Sequence, residues 1–136
     1  MSTPAKSLKV QVVTPERAVL DEAAEFVVLP LFDGELGVLP GHAPFVGQLA
    51  PGELKLKTGG VATRYYIEGG FAQVRANVVN VLTAAAIKAE DVTPAKATDA
   101  RTAADALPAT DAVTRETKRK ATERAQGLAK VAAKNG

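Results

Sequence analysis

The sequence contains no cysteine and no tryptophan, and only one methionine and one histidine among its 136 residues. Without thiols it can form neither disulfides nor iron–sulfur clusters nor thiolate zinc sites, which fits a reducing compartment. A single histidine cannot supply the usual nitrogen–sulfur shell of a metal site either. Serine occurs only at Ser2 and Ser7, in the polar opening segment, so no nucleophile sits in an elbow-like context. No G-x-x-x-x-G-K-[ST] and no G-x-G-x-x-G opening a helix is present. No apolar run approaches the roughly 20 residues that cross a bilayer. The start, "MSTPAKSLKV", lacks the apolar stretch of a secretory signal. These absences predict a soluble intracellular or peripheral protein that needs no metal and no cofactor.

What is present is unevenly distributed. All six aromatic residues, Phe26, Phe32, Phe45, Tyr65, Tyr66 and Phe71, precede residue 72, whereas the last third is rich in Ala, Lys and Arg. Residues 1–92 carry 8 basic and 10 acidic side chains; residues 111–136 carry 7 basic against 3 acidic. The positive excess therefore sits on the final segment, where an acidic partner would bind. A basic helix beside a slightly negative body suits a protein-docking strip better than a nucleic-acid interface.

From Leu8 to about Ala85 the pattern is short period-2 runs divided by turn residues. In "LKVQVVT", Leu8, Val10 and Val12 alternate with polar neighbours, and "EFVVLP" reads as a strand buried on both sides. "ELKLKTGGVATRYYIEGGFAQVRANVVNVLTA" reads as three strands in meander, with a hairpin turn at Gly59-Gly60, a bend or bulge at Gly69-Gly70 and a last turn at Asn77. This predicts an antiparallel β-sandwich or flattened barrel over residues 8–88, preceded by a flexible segment, 1–7.

Residues 89–136 predict an antiparallel α-helical hairpin. Thr93-Pro94 supplies an N-cap and a first-turn proline, Pro108 stops the first helix, and Thr110-Asp111 starts the second. The expected helices are about 94–107 and 111–133, with stripes Ala97, Ala100, Ala104, Leu107 and Ala121, Ala125, Leu128, Ala132. Alanine buries little area, so these stripes dock weakly and the hairpin reads as a movable arm.

The segment "DGELGVLPGHAPFV", Asp33 to Val46, reads as a stiff loop between turns. It either presents Glu35, Leu36 and His42 outward for docking or plugs the sandwich end with Leu36 and Val38. His42 with Asp33 and Glu35 could be drawn as a general acid–base pair, but the missing nucleophile leaves a histidine that bonds within its loop or meets a partner.

These residues resemble the epsilon subunit of bacterial F-type ATP synthase, through "DGELGVLPGHAPFVGQLAPGELKL", "YYIEGGFAQVRANVVNVLTAAAIKAEDV" and the Ala-rich tail. The resemblance implies a sandwich of about ten strands held between gamma and the ring of c subunits, non-catalytic itself, on the cytoplasmic face of the inner membrane. It implies c-ring and gamma contacts through Glu35, Leu36, Gly37 and His42. It also implies a hairpin that extends toward the head to inhibit ATP hydrolysis, where Arg115, Lys118, Arg119 and Arg124 would meet the beta and alpha subunits. The family's ATP-binding [IL]-D-x-x-R-A stands here as "VTPAKA", with Thr93 for the aspartate and Lys96 for the arginine. Loss of the carboxylate and of the guanidinium fork leaves at most weak phosphate contacts from Lys96, Arg101 and Arg124. The rival reading is a free-standing ATP-sensing or protein-binding regulatory module.

Overall fold

In the structure, a computed structural model that describes residues 7–134, the period-2 runs form eight strands. These are β1 (Leu8–Val13), β2 (Ala18–Ala24), β3 (Phe26–Leu31), β4 (Gly34–Val38), β5 (Phe45–Thr58), β6 (Val61–Arg75), β7 (Val78–Leu82) and β8 (Ala86–Lys88). Residues 1–6 of the expected flexible segment lie outside the described residues. β5 and β6 are long because each serves two layers. Their register runs from Phe45–Leu49 against Gly70–Val74 to Pro51–Thr58 against Val61–Glu68, with the break at Ala50.

One layer is therefore β2-β1-β7 with the second half of β6 and the first half of β5. The other is β8, the first half of β6, the second half of β5, then β3 and β4. Eight continuous strands thus make ten strand segments, five per layer. The expectation of a wholly antiparallel sandwich needs one correction, because β1 and β7 pair in parallel. They can do so because the intervening chain passes through the other layer before returning.

The bend in β6 is enforced at Gly70. Its φ is +111°, and a Cβ there would lie 1.9 Å from the Leu82 carbonyl oxygen. Only glycine allows both the backbone angle and the close approach of β7. Between the layers, Leu8, Val10, Val12, Val27, Leu29, Leu54, Leu56, Ile67, Val79 and Val81 form one buried cluster with Tyr65. In β3, Val27 and Leu29 are buried while Phe26 and Val28 are half-buried, so the expectation of burial on both sides holds only in part.

The segment expected to be a loop between turns is half strand. Gly34–Val38 pairs with β3 in a tight hairpin, with Val38 beside Val27 and Leu36 beside Leu29. Its glycines hid an edge strand whose inward positions, 36 and 38, are apolar. The Phe26 ring leans over Gly37, where a Cβ would meet it at 3.1 Å. Val38 is buried and Leu36 half-buried, so both close the sandwich. Only residues 39–44 form the turn, held by His42 N–H donating to the Leu39 carbonyl (3.0 Å) and Gly41 N–H donating to Asn77 Oδ1 (2.7 Å).

A 3₁₀ turn, Ala89–Asp91, leads into α1 (Pro94–Asp105) and α2 (Ala112–Lys134). Thr93 Oγ1 accepts from Lys96 N–H (3.2 Å), and Asp111 Oδ1 accepts from Thr114 N–H (2.8 Å), so both expected caps are made. The hydrogen bonds from Thr114 hold the Asp111 carboxyl below its ordinary pKa. The Lys118 ammonium donates to the Asp105 and Leu107 carbonyls (3.3 and 3.2 Å), joining α2 to the free carbonyl end of α1.

Gly70→Ala is expected to destabilise the protein by roughly 3 kcal/mol or more, through the positive φ and the contact with Leu82. Urea unfolding monitored by circular dichroism measures it.

Candidate functional site

The sandwich has two outer faces, and strand alternation defines each. On β6, Tyr65 and Ile67 point into the core, so Tyr66 must point out of the second layer. It is nonetheless fully buried, because α2 lies over it. Tyr66 packs with Val92, Ala97, Leu128, Val131 and Ala132 in a cluster separate from the sandwich core. α1 rests chiefly on α2 rather than on the sheet.

Charges surround this patch. The Glu53 carboxylate, only 8% exposed, accepts from Arg64 Nε (2.7 Å) and from Lys134 Nζ (3.4 Å). Arg64 also donates to the Val131 carbonyl at 3.4 Å, so one buried acid ties two strands to the end of α2. Arg124 pairs with Glu68 on the other margin. A half-exposed pair of that kind contributes about 0–1 kcal/mol. The Tyr66 hydroxyl has no hydrogen-bond partner among the described residues. Burial pushes its pKa above the ordinary tyrosine range, with Glu68 adding to the rise and Arg124 opposing it.

The predicted α2 stripe is incomplete. Ala125, Leu128 and Ala132 are buried as expected and Ala121 is half-buried, but Gly127 and Val131 are buried as well. A Cβ on Gly127 would stand 2.8 Å from the Pro51 carbonyl oxygen. A glycine in the middle of an otherwise strong helix former was the available signal.

The other face was not anticipated. On the first layer, Val13, Leu82, Phe71 and Gln48 form one row across four strands. Gln11, Asn80, Gln73 and Val46 form the next. None of these eight is charged, and Val13, Val46, Phe71 and Leu82 are exposed apolar side chains. Contiguous exposed apolar residues with amide neighbours mark a protein-binding surface.

The predicted site residues fall into separate groups. Glu35 is exposed on β4 beside a groove of about 610 Å³ that α2 lines with Gln126, Lys130 and Lys134. His42 lies beyond the far end of β4, its Nδ1 against the Ala43 carbonyl at 2.7 Å, so it is not brought to Glu35. Leu36 and Gly37 lie on β4 between them, with Leu36 turned to the core.

On α2, Arg115 is exposed, Lys118 is engaged with α1, and Arg119 bonds Glu116 (2.8 Å) and Glu123 (2.9 Å) on its own helix. Lys96 is exposed in the first turn of α1, and Arg101 pairs with Asp105 at 3.5 Å. Arg101 and Lys130 line a groove of about 650 Å³ between the helices. Arg124 pairs with Glu68 on β6, and neither it nor Lys96 lines that groove.

The fold and its faces define a β-sandwich docking module with a C-terminal helical hairpin. The model of the ATP synthase delta/epsilon chain beta-sandwich domain matches residues 7–89, and this chain belongs to that family. It is 52% identical over 101 residues to the ATP synthase epsilon chain of Rhodopirellula baltica, covering 74% of this chain and 77% of that one. To the epsilon chain of Nitratidesulfovibrio vulgaris it is 46% identical over 87 residues, covering 64% and 65%. Among solved structures, a chain of the Euglena gracilis mitochondrial ATP synthase, resolved with OSCP, F1 and c-ring, superposes with a TM-score of 0.80. That pair is 31% identical, over 94% of this chain and 82% of that one. A chain from the Tetrahymena thermophila central stalk and c-ring shares the fold, with a TM-score of 0.74 at 14% identity, over 92% and 96%.

Gly127→Ala sets two effects against each other. Alanine favours an isolated helix by about 1 kcal/mol, but its Cβ collides with Pro51. The collision is expected to win at the docked interface, giving faster limited proteolysis within α2 while the sandwich melts as before.

Proposed function

We propose that this chain is a central-stalk subunit of a bacterial F-type ATP synthase, linking gamma to the c-ring so that proton-driven rotation reaches the catalytic head. The identity to epsilon chains, 52% for the first relative described, carries the reading. The likeness to a chain resolved in an F1 and c-ring assembly supports it. The subunit is non-catalytic and binds no cofactor of its own. It stands at the cytoplasmic face of the inner membrane and meets the membrane only through the complex. No described helix is long and apolar enough to cross a bilayer.

The uncharged face of the first layer takes gamma, where Val13, Phe71 and Leu82 would be covered. Glu35, on the exposed edge strand β4, takes the polar loops of the c-ring, with Gly37 and Leu36 fixing its strand. His42 holds the adjoining turn near the same partners. Residues 8–88 form one folding unit and residues 89–136 a hairpin that can leave it.

In the docked position Lys118, Arg119 and Arg124 are engaged within the chain. Release frees Arg124 to join Arg115, Lys118 and Arg119 against acidic residues of beta and alpha, where several ion pairs together restrain hydrolysis. ATP binds at most weakly, since "VTPAKA" lacks the family's carboxylate and guanidinium fork.

Co-purification with tagged gamma tests the reading. The full chain and a chain lacking residues 93–136 are both expected to co-purify, with ATP hydrolysis by the truncated complex unchanged or raised. Phe71→Glu is expected to abolish co-purification while the sandwich stays folded. Failure of the full chain to associate with gamma would refute the assignment.

A further inference from the structure

The Tyr66 side chain occupies the centre of the docking patch, and its hydroxyl is buried without a partner among the described residues. The side chains around it, Val92, Ala97, Leu128, Val131 and Ala132, carry no polar atoms. The ion pairs, Glu68–Arg124 and Glu53 with Arg64 and Lys134, stand at the margins. A phenol facing water keeps its hydrogen bonds; docking α2 removes them and returns none. A buried donor left without a partner weakens the state that buries it by roughly five- to 150-fold. The cost falls on docking alone, because with the hairpin away the outer face of β6 is open to solvent.

We propose that Tyr66 is a release element: its unpaired hydroxyl weakens docking of the hairpin, so the marginal ion pairs hold α2 in place only loosely. The inference rests on the hairpin leaving the sheet, as proposed above, and adds the group that sets how readily it leaves. Phenylalanine would keep every apolar contact of the ring and remove the stranded donor.

Native-state hydrogen exchange on the full chain tests this with the wild type, Tyr66→Phe and Glu68→Gln. In the wild type, α2 amides from Ala125 to Val131 are expected to exchange through an opening that leaves β1 and β7 protected. Tyr66→Phe is expected to slow that exchange by at least about fivefold. Glu68→Gln, which weakens the marginal pair, is expected to speed it, with β1 and β7 unchanged in both variants. Exchange in Tyr66→Phe that is unaltered or faster would overturn the proposal. So would slowing that extends equally to β1 and β7, since the hydroxyl would then burden the whole fold. If wild-type α2 exchanges only together with β1 and β7, the hairpin does not leave independently, and the movable-arm reading falls as well.

Discussion

Successive side chains on a strand face opposite ways, and on β6 that rule acts on two tyrosines in a row. Tyr65 fills the sandwich beside Ile67, so Tyr66 is committed to the outer surface of the same layer. An aromatic ring there needs a cover, and α2 supplies it with Leu128, Val131 and Ala132. The position of the hairpin follows from that one alternation. So does the need for Gly127, since α2 approaches the sheet closely enough to bring its backbone against Pro51.

The two halves of the molecule are held by unequal means. The sandwich core draws branched and aromatic side chains from seven strands, each worth about 1.5–3 kcal/mol when fully buried. The docking patch has few such groups; alanines make up much of the rest, and its best polar contacts lie at the edge. Elements with little buried apolar area open at a fraction of the global unfolding free energy. A firm bearing surface and a detachable arm are therefore compatible in one short chain.

Much of this arrangement was legible in the sequence because local rules governed it. The alternation of Leu8, Val10 and Val12, the Gly59-Gly60 turn, and the starts at Thr93-Pro94 and Thr110-Asp111 depend on neighbours in sequence. β4 was hidden because Gly34 and Gly37 read as turn residues, although an edge strand tolerates them. The parallel pairing of β1 with β7, the Arg124–Glu68 contact across 56 residues and the apolar rows on the first layer depend on topology. No local pattern reveals which strands become neighbours. The basic residues of α2 read from sequence as a docking strip; in this state Lys118, Arg119 and Arg124 find their partners within the chain.

The absence of cysteine permits a direct test, since two introduced cysteines can carry spin labels without interference. Labels replacing Lys57 on β5 and Ala129 on α2 would report whether the arm leaves the sheet, by pulsed dipolar distance measurement on the full chain. The account predicts two separations in the free subunit: a short one for the docked hairpin and a longer one whose share rises when Arg124 is neutralised. A single short separation, unchanged by that substitution, would contradict it.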